Sequence, residues 1–278
     1  GGAVTVGLDG AGSSTPNGMT TSVTITLSDS DLNIVKQLTT LGTAVNNTFA
    51  MIADFTIEDV SGNAVTAIRV GSALRASDVI GDITSPTLDS FSVDLENEVL
   101  RLTFSETVLS GVTFSPAAIT IQDAATATQS VTLTNGTATS ISSTVVQLAL
   151  VTADLDNIKA ESVLARTQGT SYITLAPGVT TDSEGNNASP INDGSGLRSS
   201  AFTADDTDPE INSFSLNMNN GQISMTFSET VDVSTFASQY LNLQSEAANT
   251  TTDVVILQAL TASTVASSVD GPTLTASL

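Results

Sequence analysis

A seven-residue phrase occurs twice in this chain, as Leu102-Thr103-Phe104-Ser105-Glu106-Thr107-Val108 and as Met225-Thr226-Phe227-Ser228-Glu229-Thr230-Val231, 123 positions apart. The same offset relates Pro86 to Pro209 and Phe91 to Phe214, and the match extends over 85–95 and 208–218. It also runs backward, pairing Asp31-Leu32 with Asp154-Leu155, Lys36 with Lys159, Asp59 with Asp182, Gly62-Asn63 with Gly185-Asn186, and Leu74-Arg75 with Leu197-Arg198. Such a period is too long for a solenoid, where each copy is one supersecondary element, and has the size of a complete domain. The expected division is a partial unit over 1–81 (later strands), a whole unit over 82–204 and a second partial unit over 205–278 (early strands).

Within the whole unit, short alternating runs rich in β-branched residues read as strands: SFSVDL (90–95), LRLTFSETV (100–108), AITIQ (118–122), QSVTLTN (129–135), TVVQLALV (144–151), SYITLA (171–176) and SAFTAD (200–205). Asn135-Gly136 and the DSEGNN run at 182–187 are turn signals. One segment departs from the alternation. In Thr152–Ala160, Leu155 and Ile158 stand three apart, with Thr152 as a prospective cap and Lys159 near the end, which predicts a two-turn helix. Ser28 to Lys36 repeats the pattern. The fold class is therefore all-β, in tandem sandwich domains of about 123 residues with one short helix each, and Phe91, Phe104, Val146, Leu148, Ile173 and Leu175 are expected in the middle core.

The order of LTFSETV and then YITLAPGVTTDSEGN resembles the immunoglobulin-like repeats of S-layer and other large surface proteins. The helix before the YITL strand resembles the variant found in giant extracellular, fibre-forming proteins of protists and algae. That resemblance implies a secreted or cell-surface β-sandwich module with structural or adhesive work, and it transfers no catalytic residue.

Composition removes several chemistries. The 278 residues include no His and no Cys, which excludes Ser-His-Asp triads, thiolate catalysis and His or Cys zinc sites. Seven Lys plus Arg against 29 Asp plus Glu give a net charge of -22, so nucleic acid and anionic lipid are not expected partners. No apolar run is long enough to insert in a membrane. The opening Gly1-Gly2-Ala3 reads as a mature or excised start.

Glu106 and Glu229 are the acids of the repeated phrase, but a glycosidase needs two carboxylates about 5 to 10 Å apart across one sugar, and acid pairs arise by chance in so acidic a chain. Paired or solvated strand-end acids are expected, and no enzyme activity. The sequences around Asp59 and Asp182 suit calcium or a tight turn, and the turn is favoured. Asp205, Asp206, Asp208 and Glu210 form the better calcium candidate, although the corresponding DITSPT at 82–87 keeps one acid and Pro86 and Pro209 account for a stiff junction. Otherwise no cofactor is expected. Asn46, Asn135 and Asn249 head Asn-x-Thr tripeptides and are candidate N-glycan sites, and exposed Ser and Thr are candidate O-glycan sites. Lys36, Lys159, Arg75 and Arg198 are expected to serve as charge partners for the acids.

The partial units leave apolar strand patterns without partners, carried by Val23, Ile25, Phe49 and Phe55 at one end and Phe214 and Phe227 at the other. Identical protomers completing one another's sandwiches head to tail would form an open linear or helical polymer. A segment of a longer protein with more such units is the alternative.

Overall fold

The computed structural model describes residues 4–8, 21–111, 113–241, 243, 264, 265, 267 and 269–277. The protein is β-rich, with two α-helices among the described residues, and the most completely packed body lies between Leu88 and Thr203.

That body has two sheets. β1 (Phe49–Ala50) and β2 (Leu74–Arg75) precede it as a small separate pair. β3 (Leu88–Asp94) and β4 (Val99–Phe104) form an antiparallel pair with Phe91 opposite Leu102 and Val93 opposite Leu100. A register shift between Leu88 and Ser90 lets Leu88 and Phe91, three apart, both face inward, which strict period-two alternation forbids. β5 (Ile119–Gln122), β6 (Ser130–Thr132), β7 (Gly136–Ser140) and β8 (Val145–Leu150) follow. After the helices α1 (Asp29–Lys36) and α2 (Thr152–Ala160) are set aside, β9 (Tyr172–Leu175), β10 (Leu197–Arg198) and β11 (Ala201–Thr203) complete the set. One sheet runs β11-β3-β4-β8-β7 and the other β10-β9-β5-β6.

Side chains from both sheets share one core. Phe91, Leu102, Val146 and Leu148 come from the first sheet and Ile119, Ile121, Ile173 and Leu175 from the second, all fully buried. The six residues expected in the core are all there. Burying this apolar surface is the main stabilising term, at about 25 cal/mol per Å² removed from water. β11 lies parallel to β3, with Phe202 beside Val93, and joins the last strand of the body to its first.

Two local expectations are corrected. Asn135-Gly136 reads as a turn, but Gly136 opens a further strand, β7, which carries only small and hydroxyl side chains and so shows no apolar alternation. Gly136 takes φ 154°, and a Cβ there would stand 2.7 Å from the carbonyl oxygen of Ala149. The N-cap of α2 is Val151, without a side-chain cap, whereas Ser28 caps α1 by accepting from the Asp31 amide at 3.0 Å.

The flanking regions repeat parts of this arrangement. Phe49↔Arg75 and Ala50↔Leu74 copy Tyr172↔Arg198 and Ile173↔Leu197, and the bridge Ile52↔Ile68 copies Leu175↔Ile191. At the other end β12 (Ile211–Asn217), β13 (Gln222–Val231), β14 (Thr264–Val265) and β15 (Gly271–Ser277) form one sheet in the order β12-β13-β15-β14. Its Phe214↔Met225 pairing copies Phe91↔Leu102. A small core of Ile223, Met225, Val233, Leu274 and Ala276 packs on it, but every residue of β12 is exposed.

Candidate functional site

The repeated phrase is the socket for a helix. Asn33 and Lys36 lie three apart on α1, and Asp156 and Lys159 three apart on α2, so each pair projects from one helix face. Lys36 and Lys159 occupy the last turn, where the helix dipole favours a cation. Each helix sets this face against the Ser-Glu-Thr-Val of the copy that follows it.

The ion pairs match atom for atom at the two junctions, and a threonine hydroxyl bonds the helix beside each. Lys36 Nζ lies 2.7 Å from Asp82 Oδ2 and also donates to Glu106 Oε2. Lys159 Nζ lies 2.7 Å from Asp205 Oδ2 and 2.8 Å from Glu229 Oε2. Beside the first lysine, the Thr107 hydroxyl donates to the Asn33 carbonyl at 3.0 Å, and the Thr107 amide donates to Asn33 Oδ1 at 3.2 Å. Beside the second, the Thr230 hydroxyl donates to Asp156 Oδ1 at 2.8 Å. Every participant in one junction stands 123 positions from its counterpart in the other.

These groups are shielded from solvent. The side chains of Lys36, Asp82 and Glu106 are 15%, 17% and 8% exposed. Burial raises the pKa of Glu106, and the neighbouring Asp82 carboxyl adds to the rise against the opposing pull of Lys36. Burial also pushes Asp82 upward, but the hydrogen bonds from Lys36 and the Thr84 amide outweigh it and hold this carboxyl below its ordinary value. The Lys36 ammonium is favoured by its two acids, which overcome its desolvation. Glu229, Asp205 and Lys159 shift in the same three directions for the same reasons. One lysine between two carboxyls leaves one carboxyl in excess, and in each trio burial pushes the glutamate upward while hydrogen bonds hold the aspartate down.

A turn braces the first junction. Asp182 Oδ1 accepts from the amides of Glu184 and Asn186, at 3.0 and 2.8 Å, around Gly185 at φ 90°. Asn186 Nδ2 donates both to Asp182 Oδ2 and to the carbonyl of Asp82. Asp59 and Asn63 form the same turn, with amide donors at Ser61 and Asn63, but there the turn is exposed. Oxygen atoms of Asp82, Glu106 and Asp182 lie within 4.8 Å of one another, a spacing that can hold a divalent cation, and Lys36 places its own positive charge among them. An open cleft lined by Asp29, Lys36, Thr84, Ser105 and Glu106 leads to this cluster.

The residues singled out in the sequence fall in several places. Lys36 and Lys159 are charge partners of the acids, whereas Arg75 and Arg198 instead donate to the backbone carbonyls of Val45 and Gln168. The set Asp205, Asp206, Asp208 and Glu210 is divided: Asp205 pairs with Lys159, the Asp206 amide donates to Glu96, and the Glu210 amide donates to Ser228. Glu106 and Glu229 belong to separate junctions, each with its own lysine. Asn46 and Asn135 are exposed, and Asn249 lies outside the described residues. Val23, Ile25, Phe49, Phe55 and Phe214 are exposed, while Phe227 is partly buried against the small core. The role of Asp82 was not singled out, although its offset of 123 from Asp205 was the available signal.

No protein-family model matches the chain, and no curated protein matches it in sequence. Among solved structures, the crystal structure of the S-layer protein rSbsC(31-844) aligns with a TM-score of 0.29 and 14% identity over 51% of this chain. The chain spans 18% of the length of that S-layer protein. No helix among the described residues is long and apolar enough to cross a membrane.

Proposed function

We propose that this chain is a structural subunit of an extracellular filament or surface fibre, built from tandem immunoglobulin-like sandwiches that are completed head to tail between protomers. The division into 1–81, 82–204 and 205–278 belongs to this reading. One observation carries it: Phe91 is 1% exposed and Phe214, the same position of the repeat, is 60% exposed. Ile211, Leu216 and Met218 are uncovered beside Phe214. The segment that covers Phe91 in the middle body has its counterpart in residues 49–80, whose Phe49, Met51, Leu74 and Ile80 are also uncovered. Two complementary exposed faces on one chain favour an open, heterologous contact between copies.

The middle body supplies the register. Phe202 beside Val93 translates into Val79 of one copy beside Leu216 of the next. The Asp59–Asn63 turn then arrives beside Asp205 and Glu229, as the Asp182–Asn186 turn stands beside Asp82 and Glu106. Glycans at Asn46, Asn135 and Asn249 belong to the same proposal, whereas calcium is not favoured at a junction whose acids already hold a lysine.

Because the chain contains no Cys, a Val79→Cys, Leu216→Cys variant forms disulfides only between introduced thiols. Purified protein is expected to form regular filaments by electron microscopy, and the variant a ladder of covalent multimers on a non-reducing gel. Filaments without a ladder would overturn the register, and dispersed monomers at high concentration would overturn self-completion. The latter outcome favours the second reading, a spacer or stalk segment of a larger surface protein, in which further units of the same chain cover both faces.

A further inference from the structure

We propose that each junction closes an isopeptide bond between its lysine and the glutamate of the repeated phrase, Lys36 Nζ to Glu106 Cδ and Lys159 Nζ to Glu229 Cδ. The proposal concerns the interior of a single chain and holds whether or not copies join end to end. It rests on geometry found twice. Each lysine is fixed by its helix, each glutamate by its strand or the segment following it, and a second carboxyl touches the same nitrogen at 2.7 Å.

Three features separate this arrangement from an ordinary surface ion pair. The lysine and glutamate are held in contact by independent hydrogen bonds on either side, Thr107 with Asn33 and Thr230 with Asp156, so approach costs no further ordering. At the first junction Glu106 is nine-tenths buried and its Oε1 has no hydrogen-bond partner among the described residues, so the burial of this carboxyl is incompletely compensated. The site also holds more carboxyls than cations, and neutral products are easier to bury than charged reactants.

The two acids divide the work by their surroundings. In the proposed step Asp82, which accepts the Thr84 amide at 3.0 Å, is the carboxylate, and the more deeply buried Glu106 is the carboxylic acid. Asp82 then accepts one proton from the Lys36 ammonium. The freed amine attacks Glu106 Cδ, and a C–N bond forms. The tetrahedral intermediate passes a second proton from nitrogen to the departing oxygen, the C–O bond breaks, and water leaves through the cleft beside Thr84 and Ser105. Ammonium, carboxylic acid and carboxylate become amide, water and a protonated Asp82. No oxidant, reductant or co-reactant enters, and Asp205 performs the same service for Lys159 and Glu229.

Intact mass of the folded, purified chain tests this directly. The expected mass is below that of the sequence by two water molecules, and peptide mapping is expected to yield branched peptides joining Lys36 to Glu106 and Lys159 to Glu229. Lys36→Arg keeps the charge but cannot condense, so it is expected to restore one water and remove only the first branch. Glu106→Ala is expected to do the same. The full sequence mass after prolonged incubation of folded protein would overturn the proposal. So would a water loss mapped to one linear peptide, as a succinimide at Asp193-Gly194 would give. A branch from Lys36 to Asp82 would overturn the assignment of the electrophile.

Discussion

The Thr107 hydroxyl donates to the carbonyl oxygen of Asn33 at 3.0 Å, across 74 positions of sequence. Thr230 makes the related contact with Asp156 across the same separation. A helix and the strand phrase that receives it are thus keyed by one threonine at each junction. Thr107→Val keeps the shape, removes the donor and leaves a partly buried acceptor unsatisfied. It is expected to lower unfolding free energy by about 1–2 kcal/mol, read from urea denaturation followed by the helix signal.

The repeated Phe gives opposite outcomes at its two positions. Phe91→Ala opens a cavity in a closed core and is expected to cost about 3–5 kcal/mol. Phe214→Ala is expected to change the stability of the isolated chain by less than about 0.5 kcal/mol, and to abolish filaments where the parent forms them. Equal thermal shifts for the two variants would mean that Phe214 is covered within the single chain.

Gly136 is held by a neighbour that cannot yield. A Cβ there meets backbone at 2.7 Å, and φ is positive. Gly136→Ala is therefore expected to destabilise by about 2 kcal/mol or more, with amide exchange accelerated along β7 and β8. An unchanged melting temperature would contradict this account of β7.

The loop between β5 and β6 carries an acid-sensitive clasp. Asp123 Oδ1 accepts from the Thr128 and Gln129 amides at 2.8 and 3.1 Å, and its other oxygen accepts the Thr128 hydroxyl. These bonds, the hydroxyl first, hold its pKa below the ordinary 3.8. Because the folded value is depressed, the stabilisation is complete above the unfolded value and disappears as pH falls through the folded one. Below about pH 4 the amides of Thr128 and Gln129 are expected to lose exchange protection before the core does, and Asp123→Asn to weaken that pH dependence.

Much of this architecture was legible because the chain states it more than once. The strands rich in Val, Ile, Leu and Phe, the two helices and the Asp182 turn follow from periodicity and turn chemistry that a single copy already displays. Other features depend on what distant segments bring together. Nothing in Gly136-Thr137-Ala138-Thr139-Ser140 marks a strand until β8 lies beside it. The lysines were readable as partners for acids, but the choice of Asp82 was not, because the chain leading into β3 must first be pinned by Asn186. Arg75 and Arg198 fail as charge partners for a related reason. The backbone turns at Val45 and Gln168 place carbonyl oxygens within their reach.

The parallel pairing of β11 with β3 sets how the middle body bears load. The chain enters the body through β3 and leaves it through β11, and these two strands lie side by side, with hydrogen bonds from Ser200 to Phe91 and from Leu95 to Thr203. Tension on the two ends draws parallel neighbours in opposite directions along their common axis. The bonds between them are then strained together in shear, rather than opened one after another as in a hairpin pulled from its ends. The middle body therefore resists stretching at the seam where it begins and ends.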